Sequence, residues 1–155
     1  MFQTKAANGG LGFRFLECWI FETAPFLYLT DFDPMKPTLV LGASTNPARY
    51  ANIAIRTLLQ YEYTVYGLGL REGRVAGVQI QTDTESIHIP DLHTITLYIG
   101  PARQPQYYDW IISLNPKRVI FNPGTENPQF EALLKEHGIE TIQACTLVML
   151  SVGLY

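Results

Sequence analysis

From position 38 onward, apolar and polar residues fall into short blocks with different periods. Residues 38–41 form a near-continuous apolar run that breaks at Gly42, which is the pattern of a parallel strand covered on both faces. A loop of small and polar residues, 43–46, follows. A helical pattern then starts near Pro47 and carries Ile53, Ile55, Leu58 and Leu59, with the helix expected over 51–61. The second strand is expected at 63–67, a glycine- and charge-rich loop at 68–77, and a short third strand at 78–81. Residues 85–92 read as an irregular crossover, and 93–99 as a fourth strand closed by Gly100-Pro101. Residues 105–114 place Tyr107, Trp110, Ile111 and Leu114 at helical spacing. A fifth strand at 118–121 stops at Asn122-Pro-Gly124. A helix over 126–137 shows Phe130, Leu133 and Leu134 on one face, with Gly138 as its stop. A sixth strand at 139–142 and a short apolar helix or turn at 146–152 complete the series. Strands alternating with helices in this way predict an α/β domain with a mostly parallel sheet.

Residues 1–34 break this order. They hold Phe13, Phe15, Trp19, Ile20, Phe21, Phe26, Leu27, Tyr28 and Leu29 without a clean period. Arg14, Glu17 and Glu22 interrupt the run, which excludes both a secretory leader and a membrane-spanning helix of about 20 apolar residues. Two readings fit this extension: sequence upstream of a natural start at Met35, or an apolar arm docked on the domain of residues 35–155. The whole chain of 155 residues is 47% apolar and 16% charged, enough for one domain with one sizeable core. A net charge of −3 leaves no basic footprint for nucleic acid. Cys18 and Cys145 stand far apart, with no Cys/His cluster, so neither a disulfide framework nor a metal site is expected. A reducing, cytoplasmic setting fits best. The apolar tail at 147–155 is expected to pack on the sheet or on a second copy of the chain, which makes a homodimer the expected assembly.

Strand, glycine turn and helix together aim free N–H groups at an anion, because first-turn donors lack partners and the helix dipole favours negative charge. Loops 42–50, 67–77, 100–104 and 122–127 lie at strand ends, where ligands of parallel α/β sheets bind. The dinucleotide fingerprint G-x-G-x-x-G is incomplete here. Gly42 holds the first position, but Ser44 and Pro47 hold the other two. No acid ends the second strand; Gly67-Leu68-Gly69-Leu70 stands there, with Arg71 and Arg74 just beyond. An acid would hold a free ribose hydroxyl, so its absence beside two arginines suits a ribose that carries a phosphate, as in coenzyme A or NADP.

The segments Gly42-Ala-Ser-x-Asn-Pro47, Arg49-Tyr50, Tyr63-x-Val-Tyr66 and Gly77-Val-Gln-Ile80 resemble the small stand-alone CoA-binding domain proteins. Those are similar in turn to the CoA-binding domain of the succinyl-CoA synthetase α subunit. Ile89-Pro90, Ile99-x-Pro101, Asn122-x-Gly124, Gly138-Ile139 and Ala144-Cys145 follow in the same order, so the likeness covers 36–155. The resemblance implies a Rossmann-like three-layer domain with coenzyme A or an acyl-CoA lying across the strand ends. The contacts it implies are Gly42, Ala43, Ser44, Thr45, Asn46, Pro47, Arg49 and Tyr50 in the first loop. Gly67 and Leu68 follow after the second strand, and Gly100, Pro101 and Arg103 after the fourth; Arg71 and Arg74, read from the missing acid rather than from the likeness, complete the candidate set. The chain departs from the family pattern at Gly67-Leu68-Gly69, where Asn-Pro is usual, and its arginine near the fourth strand comes late, at Arg103.

An acyl-CoA ligase of the succinyl type needs a phosphorylatable histidine and a nucleotide-grasp partner. His88 and His93 flank a crossover loop, His137 sits at a helix end where a cation complements the dipole, and no second domain is seen. Cys145 stands where it would open a helix, a position that lowers a thiol pKa, although buried cysteines are mostly inert. The reading is therefore a CoA-binding protein with no catalytic residue of its own. The alternative is an NADP-type oxidoreductase or nucleotide-modifying subunit whose reactive groups come from a partner.

Overall fold

A computed structural model describes residues 36–155. The 1–34 extension and Cys18 lie outside the described residues. In chain order the elements are β1 (Thr38–Ala43), α1 (Tyr50–Gln60), β2 (Val65–Gly69), β3 (Gly73–Val75), β4 (Val78–Gln81), β5 (Thr94–Leu97), α2 (Tyr108–Leu114), β6 (Arg118–Phe121), α3 (Pro128–Glu136), β7 (Glu140–Gln143) and α4 (Thr146–Ser151). Two short 3-10 turns, Pro101–Arg103 and Pro105–Tyr107, lead into α2.

The strands form one sheet in the order β3-β4-β2-β1-β5-β6-β7. All neighbours are parallel except β3 and β4. With β3 set aside, the six parallel strands run 3-2-1-4-5-6, the doubly wound order whose direction reverses between β1 and β5. The fold is α/β and Rossmann-like.

Burial alternates along the strands as a two-sided sheet requires. Leu39, Leu41, Ile95, Leu97, Val119 and Phe121 face α2 and α3, where Ile111, Phe130 and Leu134 cover them. Val40, Ile80 and Ile120 face the other way, under Ala51, Ile55 and Leu58 of α1 and Met149, Leu150 and Tyr155 of the α4 segment. Helices on both faces make three layers. The tail thus packs on the sheet through Met149, Leu150 and Tyr155, while Val148, Val152 and Leu154 stay exposed.

Local chemistry sets the helix ends. Asn127 caps α3, its Oδ1 accepting the Phe130 N–H at 3.2 Å, and Pro128 follows where no donor is needed. Gly138, at φ +74, ends the same helix.

Three expectations need correction. Helix α1 starts at Tyr50, three residues after Pro47, because Asn46 first closes a separate turn in which its carbonyl accepts the Arg49 N–H at 3.1 Å. Strand β2 lies two residues further along than expected, from Val65 to Gly69, so Leu68 and Gly69 are strand residues. Within the expected loop 68–77, β3 pairs antiparallel with β4 through Val75↔Val78. Ala76 and Gly77 make the turn with φ of 47 and 94, the two positive angles of a tight hairpin.

Candidate functional site

Everything at the site begins with Gly42. Its φ is +99, and the pairing register of β1 with β2 slips between Leu41 and Ala43. A Cβ here would lie 2.8 Å from the Tyr98 carbonyl carbon and oxygen and 2.9 Å from Ile99 Cγ2. Only glycine lets the chain leaving β1 pass so close to the chain leaving β5.

The following loop is held from inside. Ser44 Oγ accepts the Asn46 N–H at 3.2 Å, and Asn46 Oδ1 accepts the Ala48 N–H at 3.0 Å. Asn52, buried on α1, donates from Nδ2 to the Ser44 carbonyl at 2.9 Å and accepts Arg56 Nε at 2.9 Å. No side chain caps the first turn of α1, whose cap residue is Arg49. Ser44 and Asn46 therefore shape the loop rather than cap the helix, and Pro47 lies in the turn before it.

Above the carboxyl ends of β1 and β5 opens a cavity of about 570 Å³, within the size range of small-molecule sites. It is lined by Gly42, Ala43, Ser44, Thr45, Asn46, Arg49, Tyr50, Ala51, Leu70, Arg71, Tyr98, Ile99, Gly100, Arg103, Pro123, Gly124 and Thr125. Ten of the sequence-derived residues meet there: Gly42 to Asn46, Arg49, Tyr50, Arg71, Gly100 and Arg103. Five do not line it. Pro47 sits in its turn. Gly67 is enclosed in β2, where a Cβ would come 3.3 Å from Ala43 Cβ, and Leu68 is core. Arg74 lies on the hairpin, with Nε and Nη2 donating to Gln79 Oε1 at 3.4 and 3.3 Å. Pro101 opens an exposed 3-10 turn.

The lining is cationic. Arg49, Arg71 and Arg103 are exposed, and no aspartate or glutamate lines the cavity. Among the described residues, none of the three guanidinium groups makes an ion pair or hydrogen bond.

Residues that sequence reasoning missed form the floor and far wall. Tyr98 presents its ring, and burial pushes its hydroxyl pKa up to about 12. The Thr146 and Thr96 hydroxyls offset part of that rise, although neither meets Tyr98 Oη at hydrogen-bonding geometry. Asn122, also buried, donates from Nδ2 to Thr96 Oγ1 at 2.7 Å and to the Leu97 carbonyl at 3.0 Å, and its Oδ1 accepts the Thr146 N–H at 2.8 Å. Its own carbonyl accepts both the N–H and the Oγ1 hydrogen of Thr125, at 2.9 and 2.8 Å. The sequence marked this wall only as the strand-end loop 122–127, opened by the stop signal Asn122-Pro-Gly124.

The reactive side chains lie elsewhere. His88, His93 and His137 are absent from the lining, as is Cys145, a free thiol that stands at the cap position of α4. Among the described residues no His/Cys/Asp/Glu group could hold a metal, and no helix is long and apolar enough to cross a membrane.

Comparison with known proteins agrees with this geometry. The crystal structure of an uncharacterized protein is 45% identical over 78% of this chain and 98% of its own, with a TM-score of 0.75. A hypothetical protein from Pyrococcus horikoshii OT3 is 25% identical over 77% of this chain and 84% of its own, at TM-score 0.69. The fold recurs in the dinucleotide forming acetyl-coenzyme A synthetase 1 of Ca. Korarchaeum cryptofilum, at 15% identity and TM-score 0.59, over 71% of this chain but 26% of that one. No curated protein matches. A family model described as CoA binding domain matches residues 36–151, a span that takes in the Gly42 cradle and every residue lining the cavity; the chain belongs to the CoA binding domain family.

Proposed function

We propose that this protein binds coenzyme A or an acyl-CoA in the cavity above β1 and β5, and that the chain alone carries out no catalysis. The observation that carries this reading is three arginines around one cavity at the switch point, without a partner among the described residues and with no acid in the lining. Such a site calls for a ligand with several negative charges, and coenzyme A brings a diphosphate and a ribose phosphate. By the geometry of doubly wound folds, the diphosphate belongs against residues 43–46 and the start of α1, and the ribose beyond β2. Leu70 and Arg71 line the cavity on that side, one apolar and one cationic, as a base and a ribose phosphate require. The histidines and the cysteine lie outside the lining, which supports a binding role.

The test is calorimetry with CoA, acetyl-CoA, NAD and NADP. CoA binding tighter than either dinucleotide is the expected result. NAD binding tighter than CoA overturns the reading, and NADP binding tightest favours the oxidoreductase-subunit alternative. Ser44→Glu, which sets a carboxylate in the cradle, should abolish CoA binding while leaving the melting midpoint nearly unchanged.

A further inference from the structure

The loops after β5 and β6 supply the far wall of the cavity, and beyond the strand ends no sheet hydrogen bonds join them. Two buried amides do so instead. Gln104 is 1% exposed and Asn127 9%. Gln104 Nε2 donates to the Ile99 carbonyl at 3.1 Å and to the Thr125 carbonyl at 2.7 Å. Its Oε1 accepts Asn127 Nδ2 at 2.9 Å. Asn127 Nδ2 also donates to Tyr108 Oη at 2.8 Å, while its Oδ1 caps α3. Every N–H of both amides is therefore used. The orientation is also forced, since a flipped Gln104 would set its oxygen against two carbonyl oxygens.

An apolar pair would fill this gap without the cost of burying two amides. What apolar contact does not supply is a set distance and direction between two loops, and a satisfied polar network does. We propose that Gln104 and Asn127 are positioning residues. They hold the Ile99–Gly100–Arg103 loop and the Gly124–Thr125 loop at one separation, and so set the affinity of the cavity for its ligand without touching it. For the ligand this rests on the CoA reading; for the wall it does not.

Asn127→Asp tests the idea. The variant keeps the acceptor that caps α3, and Asp caps as well as Asn, so the helix start is retained, and the unmet Gln104 Oε1 lowers the melting midpoint near pH 8 without unfolding the protein. Ionised, it has no donor for Gln104 Oε1; protonated, it regains one. At pH near 8 its CoA affinity should be about tenfold weaker than the parent's. The gap should narrow as the pH falls through about 4, where an aspartyl carboxyl takes up its proton. Tyr108→Phe removes the other acceptor of Asn127 and leaves the Gln104 bond, so it should bind like the parent. An Asn127→Asp protein that binds like the parent near pH 8, or shows the same loss at every pH, overturns the proposal. Without ligand, the backbone amide resonances of Gly100, Arg103, Gly124 and Thr125 should shift between parent and Asn127→Asp near pH 8. Unmoved resonances overturn the proposal on their own. A parent that binds no CoA, with these resonances shifted, removes the ligand reading and leaves the brace standing.

Discussion

The two ends of the sheet use arginine in opposite ways. At the amino-terminal ends of the strands, Arg118 opens β6 and is only 8% exposed. Its Nε donates to Thr94 Oγ1 at 2.9 Å, and its guanidinium carbon lies 4.8 Å from the centre of the Tyr155 ring. Tyr155 in turn is tied to Thr38, with 2.7 Å between the hydroxyl oxygens. At the carboxyl ends, Arg49, Arg71 and Arg103 are exposed and bond to nothing among the described residues. The first cation is stabilised by hydroxyl dipoles and a ring face and belongs to the fold. The other three line an open cavity and are left without a partner among the described residues, which the proposed polyanion would supply. Partners, rather than residue type, separate a structural arginine from a candidate binding one.

Gly42→Ala should have the largest effect, because fold and site coincide there. The φ of +99 and the 2.8 Å approach to Tyr98 predict a loss of about 3 kcal/mol or more together with loss of CoA binding. Urea denaturation of the variant checks the first part; an unchanged midpoint would mean that the crossing of β1 and β5 relaxes freely. Next comes Arg118→Ala, which gives up a charged hydrogen bond and the ring contact. A loss of about 2–3 kcal/mol is expected, with calorimetric CoA affinity intact; weakened binding would erase the contrast between the two ends.

Alkaline titration probes both ends at once. Burial raises the Tyr98 pKa from 10.0 to about 12 and raises that of Tyr155 further, against smaller opposing effects from Thr38 and Arg118. Both groups are held neutral in the folded state. Their contribution is therefore complete below the unfolded value of 10.0 and is lost as the pH climbs from there toward about 12. Denaturation midpoints measured across that window should fall, and Tyr155→Phe should flatten part of the fall. The smallest effects belong to single Arg→Ala changes at Arg49, Arg71 and Arg103. Each should weaken CoA binding by about tenfold and leave the melting midpoint unchanged. Added salt should shrink those differences; a variant that loses stability instead would have to be grouped with Arg118.

Much of the fold was legible because it rests on local pattern. Strand β6 spans the expected residues 118–121, since four buried residues between a proline and an Asn-Pro stop admit little else. The β2 boundary was obscured by glycines. Gly69 reads as loop, yet a Cβ there would lie 2.2 Å from the Ala43 carbonyl oxygen, so the residue marks a close backbone crossing inside the sheet. The β3–β4 turn was hidden because Ala76 stands where Asn is the usual signal. At the site, the loop after β1 announced itself through Gly42 and the small residues after it. Tyr98 and Ile99 did not, because a lining residue at the end of a neighbouring strand is placed by topology alone, and Thr125 was marked only as part of the 122–127 loop. The bonds that tie the amides of Asn52, Gln104, Asn122 and Asn127 to the rest of the site were hidden for the same reason: they span 5 to 26 residues.

The short hairpin has a further consequence for how the protein behaves in a crowded solution. A sheet of parallel strands ends in open rows of N–H and C=O groups, a template on which a foreign strand can grow. Here one margin is finished by β3, which offers three residues, carries the exposed Arg74 and turns back at Ala76-Gly77. The other margin, β7, is four residues long and begins with the exposed Glu140. Neither hem is long or apolar enough to favour recruiting a neighbour, so the buried strands between them are shielded from edge-on strand addition.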